Sequence, residues 1–235
     1  MKIRIKFAKQ GVMKFIGHLD IMRYFQKAMR RGNIDIAFTE GFSPHMIMSF
    51  AAPLGVGITS NGEYVDIEIR NHISSAQAIK QLNEVMVDGM EILSFRQIPE
   101  GKASKAMSLV AAADYTVQFR EGYEPDMNWQ DKIVPFFAQD TITVLKKTKK
   151  SEVETDIKPL IYALKVEENR LFMRLATGSV ANLKPELVME AFAAFAGFEL
   201  HEFALLVNRE EVYANMGSEE EKELVSLENL GEDIE

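Results

Sequence analysis

Two histidines stand where they could do chemistry: His18 in Gly17-His18-Leu19-Asp20 and His45 in Phe42-Ser43-Pro44-His45. Imidazole is the side chain whose ordinary pKa lies nearest neutrality, so either ring is suited to exchange a proton or hold an anion. Asp20 and Arg23 lie within a helical turn of His18 and bring a carboxylate and a guanidinium beside it. The plainer reading of His18 is a helix-start histidine bonded to backbone. Near His45, Pro44 fixes its own φ and restricts Ser43 to extended conformations. A hydroxyl and an imidazole on such a loop suit an anion or an RNA backbone. The plainer reading is a loop that shapes a strand entrance. His18, His45 and Asp20 would also make a facial metal set, but nothing else in the chain supports one, and no metal is expected. Both histidines are catalytic candidates and neither is firm. His72 and His201 read as surface residues.

Cations follow His18 at regular spacing. Arg23, Lys27, Arg30 and Arg31 fall at i, i+4, i+7 and i+8, so they share a helix face. Lys14 extends the patch. The expected RNA- or anion-binding set is Lys14, His18, Arg23, Lys27, Arg30, Arg31, Ser43 and His45. Such a stripe binds phosphates with strongly salt-dependent affinity, or else is a solvated outer face. Phe15, Tyr24 and Phe42 are either stacking platforms or core. A second run, Lys146, Lys147, Lys149 and Lys150, reads as a flexible hairpin tip with Asn182 and Lys184 as further polar contacts. Gly55–Gly62 is glycine-rich but has no Walker lysine and precedes a strand, so it reads as a turn.

The whole chain has 235 residues and a formal net charge of -8, and that charge is unevenly spread. Lys2, Arg4, Lys6, Lys9, Lys14, Arg23, Lys27, Arg30 and Arg31 face a single acid, Asp20, at the start, while acids crowd the end. A basic working surface and an acidic tail are expected. There are no cysteines, which excludes disulfides, thiolate zinc sites and iron–sulfur clusters. No apolar run reaches the roughly 20 residues that span a bilayer, and the start lacks a signal-peptide core. A cytoplasmic protein with no membrane partner is expected.

These residues must be positioned by regular elements. Ile3, Ile5 and Phe7 alternate in a strand, and His18–Arg31 has helical spacing with a stop at Gly32-Asn33. Ile34–Phe38 and Met46–Ala51 read as extended, Tyr64–Ile69 as a strand, Ala76–Met86 as a helix capped by Ser74 or Ser75, and Met90–Ile98 as a strand. The same order recurs later: a strand at Asp114–Arg120 and a helix at Trp129–Ala138 weakened by Pro135. An extended Thr141–Lys146, a hairpin around Glu168-Asn169, a helix at Pro185–Ala196 and a strand at Phe203–Val207 follow. The expected class is α+β, with two tandem ferredoxin-like (split βαβ) units on antiparallel sheets. One sheet face carries helices and the other is expected to be free for a partner. The expected domains are 1–100 with the basic first helix, a connector at 101–112, 113–215, and an acidic tail at 216–235, disordered or docked on a basic face. A single larger α+β domain is the alternative.

Long motifs carry a resemblance. GHLDIMR (17–23), GFSPHMIMSF (41–50), APLGVG (52–57), EYVDIEI (63–69), VETDIKPLIYAL (153–164) and ATGSVANLKPELVMEAF (176–192) resemble the radical-SAM-linked protein family. That bacterial family occurs as separate chains or as a C-terminal extension of a radical SAM enzyme. The resemblance runs to about residue 213. The family's genes tend to lie beside a radical SAM gene and a ribonuclease G gene, which implies a role in RNA metabolism. The chain departs from the family at Ser43, where Asn is usual, and at Met46-Ile47, where a basic residue often stands. Having no cysteine, it cannot itself hold the radical SAM cluster, and no cofactor is expected of it.

The expected function is a non-catalytic RNA-binding accessory protein that works with a separately encoded radical SAM enzyme in RNA modification. One alternative is a metal-independent RNA endonuclease of tandem ferredoxin-like type, with His18 or His45 as general base; the glycine-rich C-terminal loop of such enzymes is not evident. Another is a protein-docking module for the radical SAM partner.

Overall fold

Strand β1 (Lys2–Lys9) is followed by a 3-10 turn (Gly11–Phe15), helix α1 (His18–Arg31), β2 (Met48–Phe50), β3 (Thr59–Glu68), α2 (Ser75–Asn83) and β4 (Met90–Gln97). After them come α3 (Ala106–Leu109), β5 (Val110–Phe119), α4 (Gln130–Phe137), β6 (Thr143–Lys147), β7 (Glu152–Asp156), β8 (Ile161–Glu167) and β9 (Arg170–Ala176). The chain ends with α5 (Pro185–Ala196), β10 (Leu205–Asn215), β11 (Leu224–Ser226), a 3-10 turn (Leu227–Leu230) and β12 (Glu232–Asp233). This computed structural model describes residues 1–100, 105–147 and 152–235. Lys149 and Lys150 of the second basic run, and the first part of the expected connector (101–104), lie outside the described residues. Helices with antiparallel strand pairs make the class α+β. Among the described residues no helix is long and apolar enough to cross a membrane.

The chain divides into two units, Met1–Ala112 with Arg209–Glu235, and Ala113–Asn208. Residues 209–215, read from the sequence with the second domain, therefore lie in the first unit, and so do residues 216–235. Strand β10 runs through Arg209, Glu210 and Glu211. These charged residues interrupt an apolar pattern, yet Arg209, Glu210 and Glu211 all find partners in the first unit.

In the first unit the strand order is β12, β4, β1, β3, β10, with β2 on β3 and β11 on β10. Period-2 alternation gives β1 two distinct faces. Ile3, Ile5 and Phe7 join the core with Ile21, Phe25 and Met29 of α1, Val65 and Ile67 of β3, and Ala78 and Leu82 of α2. The Phe25 ring lies tilted against Phe7 at 4.6 Å and meets Phe50 edge-on at 5.6 Å. Ser74 caps α2, accepting the Gln77 amide at 3.3 Å. This helix stops at Asn83, earlier than its apolar pattern suggests. The Asn83 side chain bonds both the N–H and the C=O of Ile92 and ties the helix end to β4.

The second face of that sheet is not free for a partner. Arg4 makes a two-pronged pair with Asp66 and donates to the Leu227 carbonyl at 3.1 Å. Lys6 lies 2.7 Å from both Glu211 and Glu228. Arg96 reaches Asp233 at 3.2 Å. Leu227 is fully buried, and Ile234 joins the helix-side core. The acidic C-terminal segment is thus a structural layer over the basic strand β1. Apolar Leu227 and Ile234 supply the burial that its charges alone would not.

In the second unit the order is β10, β5, β9, β8, with β6–β7 as a separate hairpin. Phe119, Trp129, Phe136, Phe192 and Phe198 form its aromatic core. Pro135 sits inside α4, and Gly197 ends α5 with φ of 81°. Arg174 clasps Asp114 through two hydrogen bonds of 2.6 and 2.8 Å.

Candidate functional site

Helix α1 is built to show one face. Ile21, Phe25, Ala28 and Met29 are buried, and Arg23, Lys27, Arg30 and Arg31 are exposed opposite them. Arg23 pairs with Asp20 at 3.2 Å, with both side chains about two-thirds exposed (68% and 66%), so water largely screens that contact. Arg31 donates to the Val85 carbonyl at 3.1 Å. Among the described residues Lys27 and Arg30 form no ion pair. Lys14, half-buried in the 3-10 turn before α1, has its ammonium 5.2 Å from the Phe15 ring, and its carbonyl accepts the Gly57 amide. The structure thus separates the nine N-terminal cations. Arg4 and Lys6 serve the C-terminal layer, Lys9 is buried, and the α1 stripe remains for solvent or a ligand.

His18 opens α1 and packs edge-on against Phe50 at 5.2 Å. His45 sits on the loop 39–45, closed by the Phe38↔Met46 bridge and by the Thr39 amide, which donates to the His45 carbonyl at 2.9 Å. The His45 amide donates to Thr39 Oγ1 at 3.1 Å, and the same oxygen lies 3.1 Å from His45 Nδ1. Thr39 therefore braces the exposed His45 ring on its Nδ1 side. Phe42 and Ser43 at the loop tip are exposed. The register keeps the histidines apart. Phe50, beside His18, pairs with Val65, whereas the base of His45's loop lies at Met46, beyond Met48↔Ile67. Four residues of strand at about 3.3 Å each separate those points. No group of acids and histidines among the described residues could hold a metal. The loop and the α1 start are two separate places.

Under His18 lies a charged cluster that the sequence reading missed. Lys9, Glu63 and Arg209 are 3%, 5% and 2% exposed. Lys9 continues the Ile3, Ile5, Phe7 alternation, and Glu63 continues that of Val65 and Ile67, so both point to the helix side. That parity was the available signal. Register shifts near Phe7 and Lys9 mark the site as a bulge. Glu63 is committed to Arg209, which also donates to the Ala52 carbonyl at 2.7 Å. Lys9 lines a cavity of about 10 Å³ with Phe7, Ile16, His18, Phe50 and Glu63, which is room for a single water. Burial pulls the Lys9 ammonium below the usual amine range; the Glu63 charge opposes this and Arg209 adds to it.

Comparison with known proteins adds little chemistry. Residues 2–185 match the model of a family described as "Uncharacterized protein conserved in bacteria (DUF2344)". No curated protein matches. Among solved structures, a chain of "Crystal Structure of a Cbf5-Nop10-Gar1 Complex" aligns with 89% of this chain and 48% of its own, at 10% identity and a TM-score of 0.44. The present chain spans about half the length of that one.

Proposed function

The chain belongs to the bacterial family DUF2344, and from its exposed cations we propose that it is a non-catalytic RNA-binding accessory protein. It serves a separately encoded radical SAM enzyme by presenting RNA for modification. The partner class rests on the resemblance of GHLDIMR and GFSPHMIMSF to the radical-SAM-linked family. We read both units as split βαβ modules. The orders β4–β1–β3 with β2 on β3, and β10–β5–β9–β8, support that reading.

The observation that carries the RNA reading is the outward stripe of α1. In a chain of net charge -8, Arg23, Lys27, Arg30 and Arg31 stay on the surface while Arg4 and Lys6 are taken up by carboxylates. A face of several cations attracts a polyanion by counterion release, and its affinity falls steeply with salt. Ser43 and His45 on their Thr39-braced loop, with the exposed Phe42 ring, offer a second contact region for phosphate and base.

Binding of single-stranded RNA at low and high salt, by wild type and by Lys27→Glu/Arg30→Glu, tests the reading. Neither residue holds another element, so folding is unaffected. Wild type binds with a salt slope reduced by about two in the variant. Absence of salt-sensitive binding in the wild type overturns the proposal. A pull-down with the radical SAM partner then decides for protein docking.

A further inference from the structure

Three features meet at the start of α1. Gly17 is its N-cap, with φ of -73° and ψ of 161°, a conformation open to any residue. A Cβ added there would meet nothing within 4 Å. Neither backbone nor crowding calls for glycine, and Ser or Asp would cap better. The consequence of glycine is that no side chain caps α1; the Asp20 amide turns back to the Gly17 carbonyl at 3.1 Å, and the His18 and Leu19 amides are left to an outside acceptor. His18 is the first residue of the helix and lines the cavity beside it. The third feature is Lys9, 3% exposed and lining the same cavity. Among the described residues its ammonium makes no hydrogen bond and no ion pair.

The Lys9 side chain is almost wholly buried and lines the cavity, and an ammonium so shielded, with no protein group bonded to it, favours an acceptor that reaches it there. Glu63 cannot serve fully, because it is held by Arg209, so the cluster carries excess positive charge at a helix N-terminus. Both terms favour an anion. The cavity's size restricts the entering group to about one oxygen atom, which excludes a base or a whole nucleotide.

We propose that this pocket receives the phosphate monoester at an RNA end, one phosphoryl oxygen entering at Lys9 and the others lying against His18 and the first turn of α1. This assignment rests on the RNA-binding reading and gives it a polarity: the terminal phosphate docks at the start of α1 and the strand follows the stripe Arg23, Lys27, Arg30. A terminal monoester carries about -1.5 to -2 charges near neutrality, more than an internal phosphodiester. It therefore matches a lysine, a helix terminus and a protonatable histidine better than any internal phosphate.

The test compares three labelled single-stranded oligoribonucleotides of one sequence, with a phosphate on the first nucleotide, a phosphate on the last, or hydroxyls at both ends. Wild type binds one phosphorylated form about tenfold more tightly than the unphosphorylated one, the size of a single charge-assisted contact. In Lys9→Met the preference falls to near unity while binding of the unphosphorylated form persists. Gly17→Asp places a carboxylate at the helix start, in open space, and produces the same loss; it carries the test if Lys9→Met does not fold. Equal binding of all three forms by wild type overturns the pocket and leaves the RNA reading standing. A preference retained in both variants overturns the assignment to this place. If no oligonucleotide binds, but inorganic phosphate shifts the His18 ring signals in wild type and not in Lys9→Met, the RNA reading falls and the phosphate pocket stands.

Discussion

Lys6 on β1 holds Glu228 of the C-terminal segment at 2.7 Å, on a sheet face where both side chains are largely shielded from water. Glu211 meets the same ammonium at 2.7 Å and accepts the Tyr64 hydroxyl at 2.6 Å. Lys6→Met leaves two carboxylates there without their cation. Breaking a fully buried pair costs roughly 3–5 kcal/mol. Residual wetting of Glu228 reduces that, and a loss of about 2 kcal/mol is expected. Urea unfolding measures it; an unchanged midpoint would show that the clasp adds no stability.

The same clasp is sensitive to alkali. Burial lowers the Lys6 pKa, but the hydrogen bonds and charges of Glu211 and Glu228 outweigh it and raise the group above 10.5. Its contribution is fully present below the unfolded value and is lost as pH rises through the folded one. Burial, with the Glu211 charge and hydrogen bond, raises Tyr64 far above 10.0. Above pH 10 the unfolded chain ionises this phenol first, so the folded state binds more protons and stability falls with pH. Lys9, lowered from 10.5, acts oppositely in the window just below that value. Unfolding free energy is expected to drop as pH passes 10, with a shallower drop in Tyr64→Phe. Equal drops in both proteins would remove Tyr64 from the account.

Glu63 and Lys9 are coupled through burial. Glu63→Gln leaves Lys9 and Arg209 as buried cations without a counter-charge and costs on the order of 3 kcal/mol. Lys9→Met removes a buried charge that has no bonded partner, keeps the stem's volume, and leaves stability unchanged or raises it. The double variant is then less damaged than Glu63→Gln alone. Additive effects in this double-mutant cycle would mean that the two charges do not sense each other.

Helix α1 was legible because its signals agree: helical spacing of Leu19, Met22, Phe25, Gln26 and Met29, and a Gly32-Asn33 stop, although Leu19 faces out and Ile21 takes the buried place. Pro185 and Gly197 mark α5 in the same way. The exposed stripe followed from that periodicity. Two features did not follow. The C-terminal layer has few apolar residues and many acids, a composition that alone predicts disorder; its partners Arg4, Lys6 and Arg96 lie more than a hundred residues away. The Lys9–Glu63–Arg209 cluster joins strands at the two ends of the chain. Lys9 looked like one more surface cation until its parity with Phe7 is counted. Long-range pairing is not carried by local pattern, and so both were missed.

Two glycines near the site divide structural need from freedom. Asn61-Gly62 reads in the sequence as a turn, but Gly62 lies inside β3. A Cβ there would stand 2.7 Å from the Glu210 carbonyl oxygen and 2.7 Å from the Glu211 Cα. These are backbone atoms of β10, which cannot swing aside as a side-chain tip can. Ser60 locks the approach, its hydroxyl accepting the Gly62 amide and donating to the Arg209 carbonyl. Gly62→Ala must push Arg209–Glu211 outward, and so loosens Arg209 from Glu63 and Glu211 from Tyr64. A loss of about 1–3 kcal/mol is expected, as for other overpacked sites. Gly17→Ser meets nothing and gains a capping hydroxyl, so its stability is expected to hold or rise by a few tenths of a kcal/mol. Thermal unfolding of the two variants beside wild type separates the cases. A Gly17→Ser protein as damaged as Gly62→Ala would mean that glycine is needed at the α1 start for the fold itself, and would remove the reason to see a ligand in its bareness.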